Sequence, residues 1–253
     1  MTDRRGRQAF AVQLAELLVV QLANWRWGWR SMVVLGMAAP LLSITMLGIL
    51  IRDSGVVALE YVLVGNVVLA LMFENQNKVS SNFAYMRAKG TLHFVATLPV
   101  HKSALILATV VAFLLLALPA VVVTIVAGSR ILGVDLAPSP LVLLVVPLCA
   151  IPLASMGALV GSMARTPEEA GSVSLLLALL LLSLGPVLVP PERLPEALNI
   201  AGYASPATYA ASALRQVLLG PVSGRLALDL GVLAGLSVVV LWFVERRLRW
   251  RVG

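Results

Sequence analysis

The side chains that could do chemistry are few, and none of them stands in a catalytic or metal-binding pattern. His93 and His101 lie eight positions apart with no carboxylate cluster or cysteine nearby, so they are better explained as interfacial side chains than as metal ligands. The single cysteine, Cys149, lies in an apolar run and is expected to fill a packing position. No lysine follows a glycine in a P-loop pattern. We therefore predict a chain that binds no cofactor or metal itself, has no catalytic residue and does not hydrolyse ATP.

The composition places these side chains in a membrane protein. Of the 253 residues, 60% are hydrophobic and 12% are charged, whereas soluble domains are about half apolar and about a quarter charged. Six runs are long and apolar enough to cross a bilayer, and we predict transmembrane helices at residues 31–51, 57–73, 103–128, 139–164, 171–189 and 226–244. Prolines inside these runs are expected to kink the helices without breaking them: Pro40, Pro119, Pro147, Pro152 and Pro186.

The centres of the predicted spans contain no ionisable group. Ion-coupled carriers place such groups at mid-membrane, because a proton or ion relay needs them there. Glu60 and Asp229 fall near the outer ends of the second and sixth spans, where an interfacial position explains them better than a transport pathway. We therefore expect the energy for any transport to come from another subunit.

Two pairs of glycines four positions apart occur within the spans. This spacing lets helices approach closely, within one chain or between two chains. The pairs are Gly157 with Gly161 and Gly231 with Gly235.

The Lys and Arg residues are distributed unevenly along the chain. Fourteen of the 19 fall in the N-terminal segment, the loops after the second and fourth spans and the C-terminal tail. Because basic loops stay in the cytoplasm, we predict that both termini are cytoplasmic. The same pattern accounts for the net charge of +7 without a nucleic-acid partner. The excess of Arg over Lys, 16 to 3, together with the high content of Ala, Val and Leu, indicates a GC-rich bacterial genome, and we therefore expect the membrane to be a bacterial plasma membrane.

Residues 1–30 are predicted to form a cytoplasmic amphipathic helix in the membrane interface. At helical pitch, Gln13, Glu16 and Asn24 fall near one face and the larger apolar side chains on the other. An ordinary soluble amphipathic helix is the alternative. Three tryptophans are expected to form an aromatic belt at the headgroup level: Trp25, Trp27 and Trp29.

Two loops are long enough to hold structure of their own. In the cytoplasmic loop, residues 74–102, apolar and polar residues mix over 84–95, which predicts a short helix with an exposed apolar edge for docking. A solvated connector is the alternative. The external loop, residues 190–225, is too polar and too rich in Pro and Gly to span the membrane. It could dip into the outer leaflet as short helices buried against the protein.

Both loops resemble stretches of ABC-2-type transporter permeases, especially the drug and nodulation-factor export branch. Residues 89–100, KGTLHFVATLPV, are similar to the family's GTLE…L…TPV sequence after the second span, with His93 in place of the usual acid. Residues 205–215 are similar to the family's NP.TY…ALR sequence, with Ser205 in place of Asn. The similarity extends over nearly the whole chain, which we treat as a single domain, residues 1–253. It comprises the interfacial helix, the six-span region 31–244 and a basic cytoplasmic tail, 245–253.

The resemblance implies an all-α membrane subunit. A coupling helix would lie between the second and third spans, at about residues 84–102, and short re-entrant external helices between the fifth and sixth. The implied partners are membrane lipid, a second permease, identical or different, and a separate ATP-binding cassette ATPase that uses ATP and Mg²⁺. The residues implied to couple to the ATPase are Arg87, Lys89, Gly90, Thr91, Leu92, His93, Leu98 and Pro99. Those of the external re-entrant motif are Ser205, Pro206, Tyr209 and Arg215.

The predicted function is outward transport of an amphiphilic substrate, either a drug-like molecule or a lipid, driven by the separate ATPase. Export of a polysaccharide or glycolipid is an alternative, because the same architecture serves both. A stand-alone secondary carrier or channel is a further alternative. It would need polar residues along a path, and such residues also make routine hydrogen bonds between helices. A membrane-embedded enzyme or a structural anchor has less support.

Overall fold

The computed structural model describes residues 9–25 and 28–247, except the side chains of Trp29 and Met32, and over this part of the chain the regular structure is entirely helical. The α-helices are α1 (Phe10–Trp25), α2 (Trp29–Leu50), α3 (Val56–Leu71), α4 (Lys78–Ala88), α5 (Thr91–Thr97), α6 (Lys102–Leu132), α7 (Val142–Met163), α8 (Pro167–Ser183), α9 (Glu196–Gly202), α10 (Pro206–Leu219) and α11 (Arg225–Arg247). A π-helical segment, Met72–Asn77, joins α3 to α4. Helices satisfy their own backbone hydrogen bonds, which an apolar solvent requires.

Five helices of the described chain are long and apolar enough to cross a membrane, one fewer than predicted. They are α2, the continuous helix Val56–Ala88, α6, α7 and α11. The predicted fifth span, residues 171–189, corresponds to α8, which has 17 residues and ends at Ser183. Gly185 then adopts a φ of +85°, and Pro186 cannot donate a helical hydrogen bond. The chain therefore leaves the helix near residue 184 instead of continuing to 189.

The other prolines named from the sequence lie inside continuous helices. Pro40 is in α2, Pro119 is in α6, and Pro147 and Pro152 are in α7. The expectation that prolines would not break the helices is therefore right at four positions and wrong at Pro186.

The second predicted span is much longer than the sequence suggested. We expected residues 57–73 to be helical and a loop to begin at Glu74, but Val56–Ala88 is a single helix of 33 residues. The polar run after Phe73 continues the helix because its side chains and backbone face other helices. Gly157 and Gly161 of α7 lie directly against the backbone of this run, where a Cβ would overlap main-chain atoms. The prediction of close helix approach at this glycine pair is confirmed, and the contact lies within one chain.

The other glycine pair has a different environment. A Cβ on Gly231 or Gly235 of α11 would meet no described atom within 4 Å. Both glycines are exposed on the single chain.

The hydrophobic core surrounds α7 and α10. Small residues of α10, including Ala207, Ala210 and Ala213, are fully buried against α3, α7, α8 and α11. The long helix Val56–Ala88 has its two ends at opposite ends of the bundle. We call these the α5 end, where α1, α4 and α5 meet, and the α10 end, which holds α9 and α10.

Candidate functional site

Helix α1 lies at the α5 end, with two glutamines on its buried face. Gln21 is 4% exposed, and its Nε2 donates to Thr109 Oγ1 of α6 at 2.9 Å. Gln13 is 1% exposed, and its Oε1 accepts from the backbone N of His101 at 3.0 Å while its Nε2 donates to Pro99 O at 3.4 Å. The predicted helix is confirmed, but Gln13 does not lie on a solvent-facing polar side. The two glutamines fix α1 to α6 and to the chain just before α6.

Part of the surface of α1 is apolar and exposed. Val12, Val19 and Val20 have exposed fractions of 45%, 65% and 55%. A helix with such a face suits the membrane interface, where side chains of this kind meet acyl chains.

The predicted tryptophan belt is described only in part. Trp25 is half-buried at the end of α1, and its ring meets Phe113 edge to face with centroids 5.8 Å apart. Trp27 lies outside the described residues, and Trp29 is described only by its backbone at the start of α2. The contact with Phe113 therefore packs Trp25 of α1 against α6.

Helix α5 is short and presents an apolar edge to solvent. Val95 points inward and packs in a cluster with Met86 and Leu105. On the other side, Phe94 is 65% exposed and Leu98 is 41% exposed. The structure therefore contains a short helix with an exposed apolar edge in the predicted region. Its bounds differ from the expected 84–102, because residues 84–88 belong to α4 and the turn at Gly90 confines the short helix to Thr91–Thr97.

The turn before α5 depends on a glycine. Gly90 has a φ of +73°, a left-handed conformation that side chains with a Cβ rarely adopt. Because it lies between Lys89 and Thr91, this conformation sets the direction of α5 relative to α4. The requirement explains glycine at this position independently of any partner.

Most of the residues implied to couple to an ATPase are accessible at this end. Lys89, Thr91, His93, Leu98 and Pro99 are exposed, and Gly90 and Leu92 are half-buried. Arg87 is exposed too, but its Nη1 donates to Ser162 O at 3.0 Å and to Ala164 O at 3.3 Å. Its guanidinium therefore joins the end of α4 to the end of α7.

A cavity of about 710 Å³ opens between α1, α4 and α5. Its apolar lining includes Val20, Met86 and Val95, and amide side chains lie between these groups. The amide-bearing lining residues are Gln21, Asn24, Asn77 and Asn82. Such a mixed lining can hold a molecule that has both an apolar body and hydrogen-bonding groups.

An ion pair lies inside the long helix Val56–Ala88, where the sequence predicted a loop. Glu74 is 1% exposed, and Lys78 Nζ lies 2.5 and 2.6 Å from its two carboxylate oxygens. Gly36 of α2 packs directly on this carboxylate, so a side chain there would overlap it. The expectation that the spans hold no ionisable group away from their ends is therefore wrong. The spacing of four residues, which pairs opposite charges on one helix face, could have indicated it.

The π-helical segment beside this pair is buried and rich in amides. Gln76 Nε2 donates to Ser174 O of α8 at 3.2 Å. The side-chain oxygens of Asn75, Gln76 and Asn77 are buried without a hydrogen-bond partner among the described residues. π-helical turns often occur at functional sites, because they break the regular backbone pattern. These amide oxygens are buried acceptors on the part of the long helix that packs against α7 and α8.

At the α10 end, the predicted external motif begins a buried helix. Ser205 Oγ donates to Leu181 O of α8 at 3.0 Å, and Pro206 occupies the first turn of α10, where its missing N–H costs nothing. Tyr209 Oη donates to Tyr203 O at 2.9 Å. These contacts fold the chain back against the end of α8. The two helices α9 and α10 stand where short helices were predicted.

Arg215 and Asp229 are the charged residues that α10 and α11 bring towards the interior. The Arg215 guanidinium lies over the Tyr61 ring at 3.6 Å from the centroid. Asp229 is fully buried, and its Oδ2 accepts from Ser212 Oγ at 2.6 Å and from Gln216 Nε2 at 3.1 Å. Asp229 was expected at the interface and instead lies in a hydrogen-bonded network.

The remaining residues singled out from the sequence contact other helices of the chain and form no metal site within the described residues. Cys149 is fully buried, and its Sγ lies 3.8 Å from Ala210 O of α10. His101 Nδ1 lies 3.0 Å from Gln13 Oε1. Within the described part of the chain, no group of three or more His, Cys, Asp or Glu residues is placed to hold a metal ion.

The fold and these sites define a helical multi-pass membrane protein with buried polar side chains inside its bundle and a short exposed helix at one end. The sequence profile of the ABC-2 type transporter family matches residues 12–219, and the chain belongs to this family. It is therefore the membrane component of an ABC-type transporter, and permease domains of this family have no ATPase site of their own and normally work with an ATPase subunit. A comparison with curated proteins finds no match.

Proposed function

We propose that this permease exports an amphiphilic molecule and that its ATPase subunit docks on the α5 end. The observation that carries the proposal is the exposed apolar edge of α5 formed by Phe94 and Leu98. Exposed aromatic and aliphatic side chains of this size are costly in water, and they commonly anchor a partner in a pocket. The neighbouring His93 and Lys89 would give such an interface a polar rim.

The contacts of α5 support a mechanical role. Val95 holds one side of the helix against Met86 and Leu105. Its C-terminal end leads through Pro99 and His101, both bound by Gln13 of α1, into α6. A displacement of α5 by the ATPase would therefore reach α1 and α6 together. On this proposal the ATPase binds ATP and Mg²⁺. The permease converts the movement of the ATPase into transport.

The lining of the cavity supports the proposed substrate class. Because α1, α4 and α5 form it, movement of α5 would change its shape. Its apolar groups suit the body of a drug-like molecule or lipid, and its amides suit a polar head. The same amides could bind sugar hydroxyls, so a glycolipid is the alternative cargo that these residues favour.

Orientation and assembly complete the proposal. Both termini would be cytoplasmic, so the α5 end would face the cytoplasm and the α10 end the outside, in a bacterial plasma membrane. Two permease subunits, identical or different, would enclose the path that the substrate takes. Reporter fusions at residue 253 test this orientation, since a fluorescent protein that matures only in the cytoplasm should be active there and inactive at an insertion after Ser223.

A stand-alone carrier is the second candidate function, favoured by the buried pair Glu74–Lys78. An ion-coupled carrier needs such groups inside the membrane. Against it, the two charges neutralise each other at hydrogen-bonding distance. Replacing both residues, Glu74→Gln with Lys78→Gln, distinguishes the two functions. The exporter should keep ATP-driven transport within a few-fold, whereas an ion-coupled carrier should lose transport.

The docking proposal is tested by co-purification of the full-length permease with a candidate ATPase encoded beside it. Phe94→Asp should weaken the complex more than about tenfold, because a charge would replace an apolar anchor. The matched control is Ile200→Asp, which changes an apolar residue that is 60% exposed on α9 at the other end. Equal retention of the ATPase by both variants and by the unmodified chain would refute docking on α5.

A further inference from the structure

A second cavity, of about 550 Å³, lies at the α10 end between α3, α10 and the segment that follows α8. Its lining is mixed and includes tyrosine, serine and amide side chains. The two charged residues among the described side chains that line it are both cations, Arg215 and Arg225. Its lining therefore presents positive charge in a recess, and nothing assigned so far uses it.

Arg215 feels the charges of Glu60 and Asp229, but two of its donor atoms have no acceptor in the described part of the chain. Its guanidinium stacks on Tyr61, but the ring offers no acceptor in the guanidinium plane. Its Nε and Nη2 are buried, and neither has a hydrogen-bond partner in the described part of the chain. Buried donors of a charged group seldom lack a hydrogen-bond acceptor, because removing them from water without a partner is costly. The arrangement calls for an acceptor supplied from outside the chain.

The nearby carboxylates do not fill this role. Asp229 Oδ2 accepts from Ser212 and Gln216, and its Oδ1 lies 4.0 Å from Arg225 Nε. Glu60, beside Tyr61 on α3, does not line the cavity, and no ion pair within the described residues joins it to Arg215. Arg225 is 63% exposed at the mouth and can turn towards a ligand.

We infer that this cavity binds the oxyanion headgroup, phosphate or carboxylate, of an amphiphile. The planar guanidinium of Arg215 can bind two oxygens of such a group at once, and Arg225 adds a second charge at the mouth. Exposed apolar side chains adjoin the mouth, with Tyr203 69% exposed and Val222 46% exposed. They can contact the apolar body of the ligand while its headgroup lies in the cavity. This combination selects an anionic amphiphile over a neutral one.

Binding to the full chain in phosphatidylcholine nanodiscs tests the inference. The probes are a short-chain phosphatidic acid, the matching diacylglycerol and inorganic phosphate. The phosphatidic acid should bind at least about tenfold more tightly than the other two, since only it has both headgroup and body. Arg225→Gln should weaken it about three- to tenfold, and Arg215→Gln should weaken it more than about tenfold. Arg52→Gln, an exposed arginine at the same end but outside the cavity, should leave it unchanged.

Each result decides one part of the inference. Equal binding of diacylglycerol and phosphatidic acid, or equal binding by the Arg225→Gln and Arg52→Gln variants, would overturn the anion site. Inorganic phosphate binding as tightly as phosphatidic acid would support the anion site and overturn the amphiphile as its source. Arg225 is largely exposed, so its variant remains informative if Arg215→Gln fails to fold. The assay contains no ATPase and no transport step, so its outcome is separate from that of the export proposal.

Discussion

Gly157 and Gly161 allow a close helix contact that a small substitution can test. A Cβ at Gly157 would overlap Gln76 O, and a Cβ at Gly161 would overlap Ser80 O. Both obstacles are backbone atoms, so no side-chain rotation relieves the overlap. Replacing both glycines with alanine must therefore push α7 away from the helix Val56–Ala88.

The size of the effect follows from two opposing contributions. Overpacking costs about 1–3 kcal/mol per site, and backbone obstacles place these sites in the upper part of that range. Alanine offsets up to about 1 kcal/mol per site, because it favours the helix over glycine. The double variant should therefore lose about 2–4 kcal/mol of unfolding free energy.

The second glycine pair supplies a control with the same spacing and the same chemical change. A Cβ at Gly231 or Gly235 would meet nothing within 4 Å. Replacing both with alanine should leave stability unchanged or raise it by up to about 2 kcal/mol. Equilibrium unfolding of the two double variants in mixed micelles, followed by tryptophan fluorescence, gives the comparison. Equal destabilisation of both variants would refute the account of α7 packing.

Three further predictions concern the α5 end. Gln21→Leu should lower the free energy of unfolding by about 1 kcal/mol. A double-mutant cycle with Thr109→Val should show that the effects of the two substitutions are coupled. Additive losses of unfolding free energy would contradict the hydrogen bond between the two side chains. Val20→Trp should reduce the binding of an amphiphilic dye about tenfold, because the larger side chain fills the cavity, while ATPase co-purification stays constant. Unchanged dye binding would place the substrate elsewhere. Arg87→Ala should lower the free energy of unfolding by about 1 kcal/mol, because it loses the hydrogen bonds to the end of α7, and Arg87→Lys should restore part of it. A loss of ATPase affinity at unchanged stability would instead assign Arg87 to the interface with the ATPase.

Much of the α5 end could be predicted from the sequence because its signals are local. The mixed pattern over residues 84–95 indicates a short helix with an apolar edge, and Phe94 is exposed as expected. Gly90 marks a turn through its conformational freedom, and the structure gives it a positive φ. The start of α10 at Ser205–Pro206 follows from a local preference for proline in the first helical turn.

The polar segment inside the long helix could not be predicted because its partners are distant in sequence. Hydropathy treats a run such as residues 74–82 as a loop, since the average does not record which groups each side chain meets. Gln76 donates a hydrogen bond to Ser174 O, and Gly157 leaves room for the backbone of the run. Only the packing of α7 and α8 makes this helix stable in the interior.

The end of α8 and the stacking of Arg215 were missed for similar reasons. An apolar average over residues 171–189 does not register that Gly185 takes a left-handed conformation before Pro186. Arg215 was assigned to the external re-entrant motif, but the stacking of its guanidinium on Tyr61 was not predicted. Both features depend on how the chain returns into the bundle after α8.

Transport by the purified chain, with and without its ATPase subunit, tests the central claim most directly. Proteoliposomes would contain the permease alone, the permease with the ATPase, or the Phe94→Asp permease with the ATPase, each with a fluorescent amphiphile and ATP with Mg²⁺. The account predicts movement of the amphiphile only in the second preparation. Movement at a comparable rate by the permease alone would contradict it.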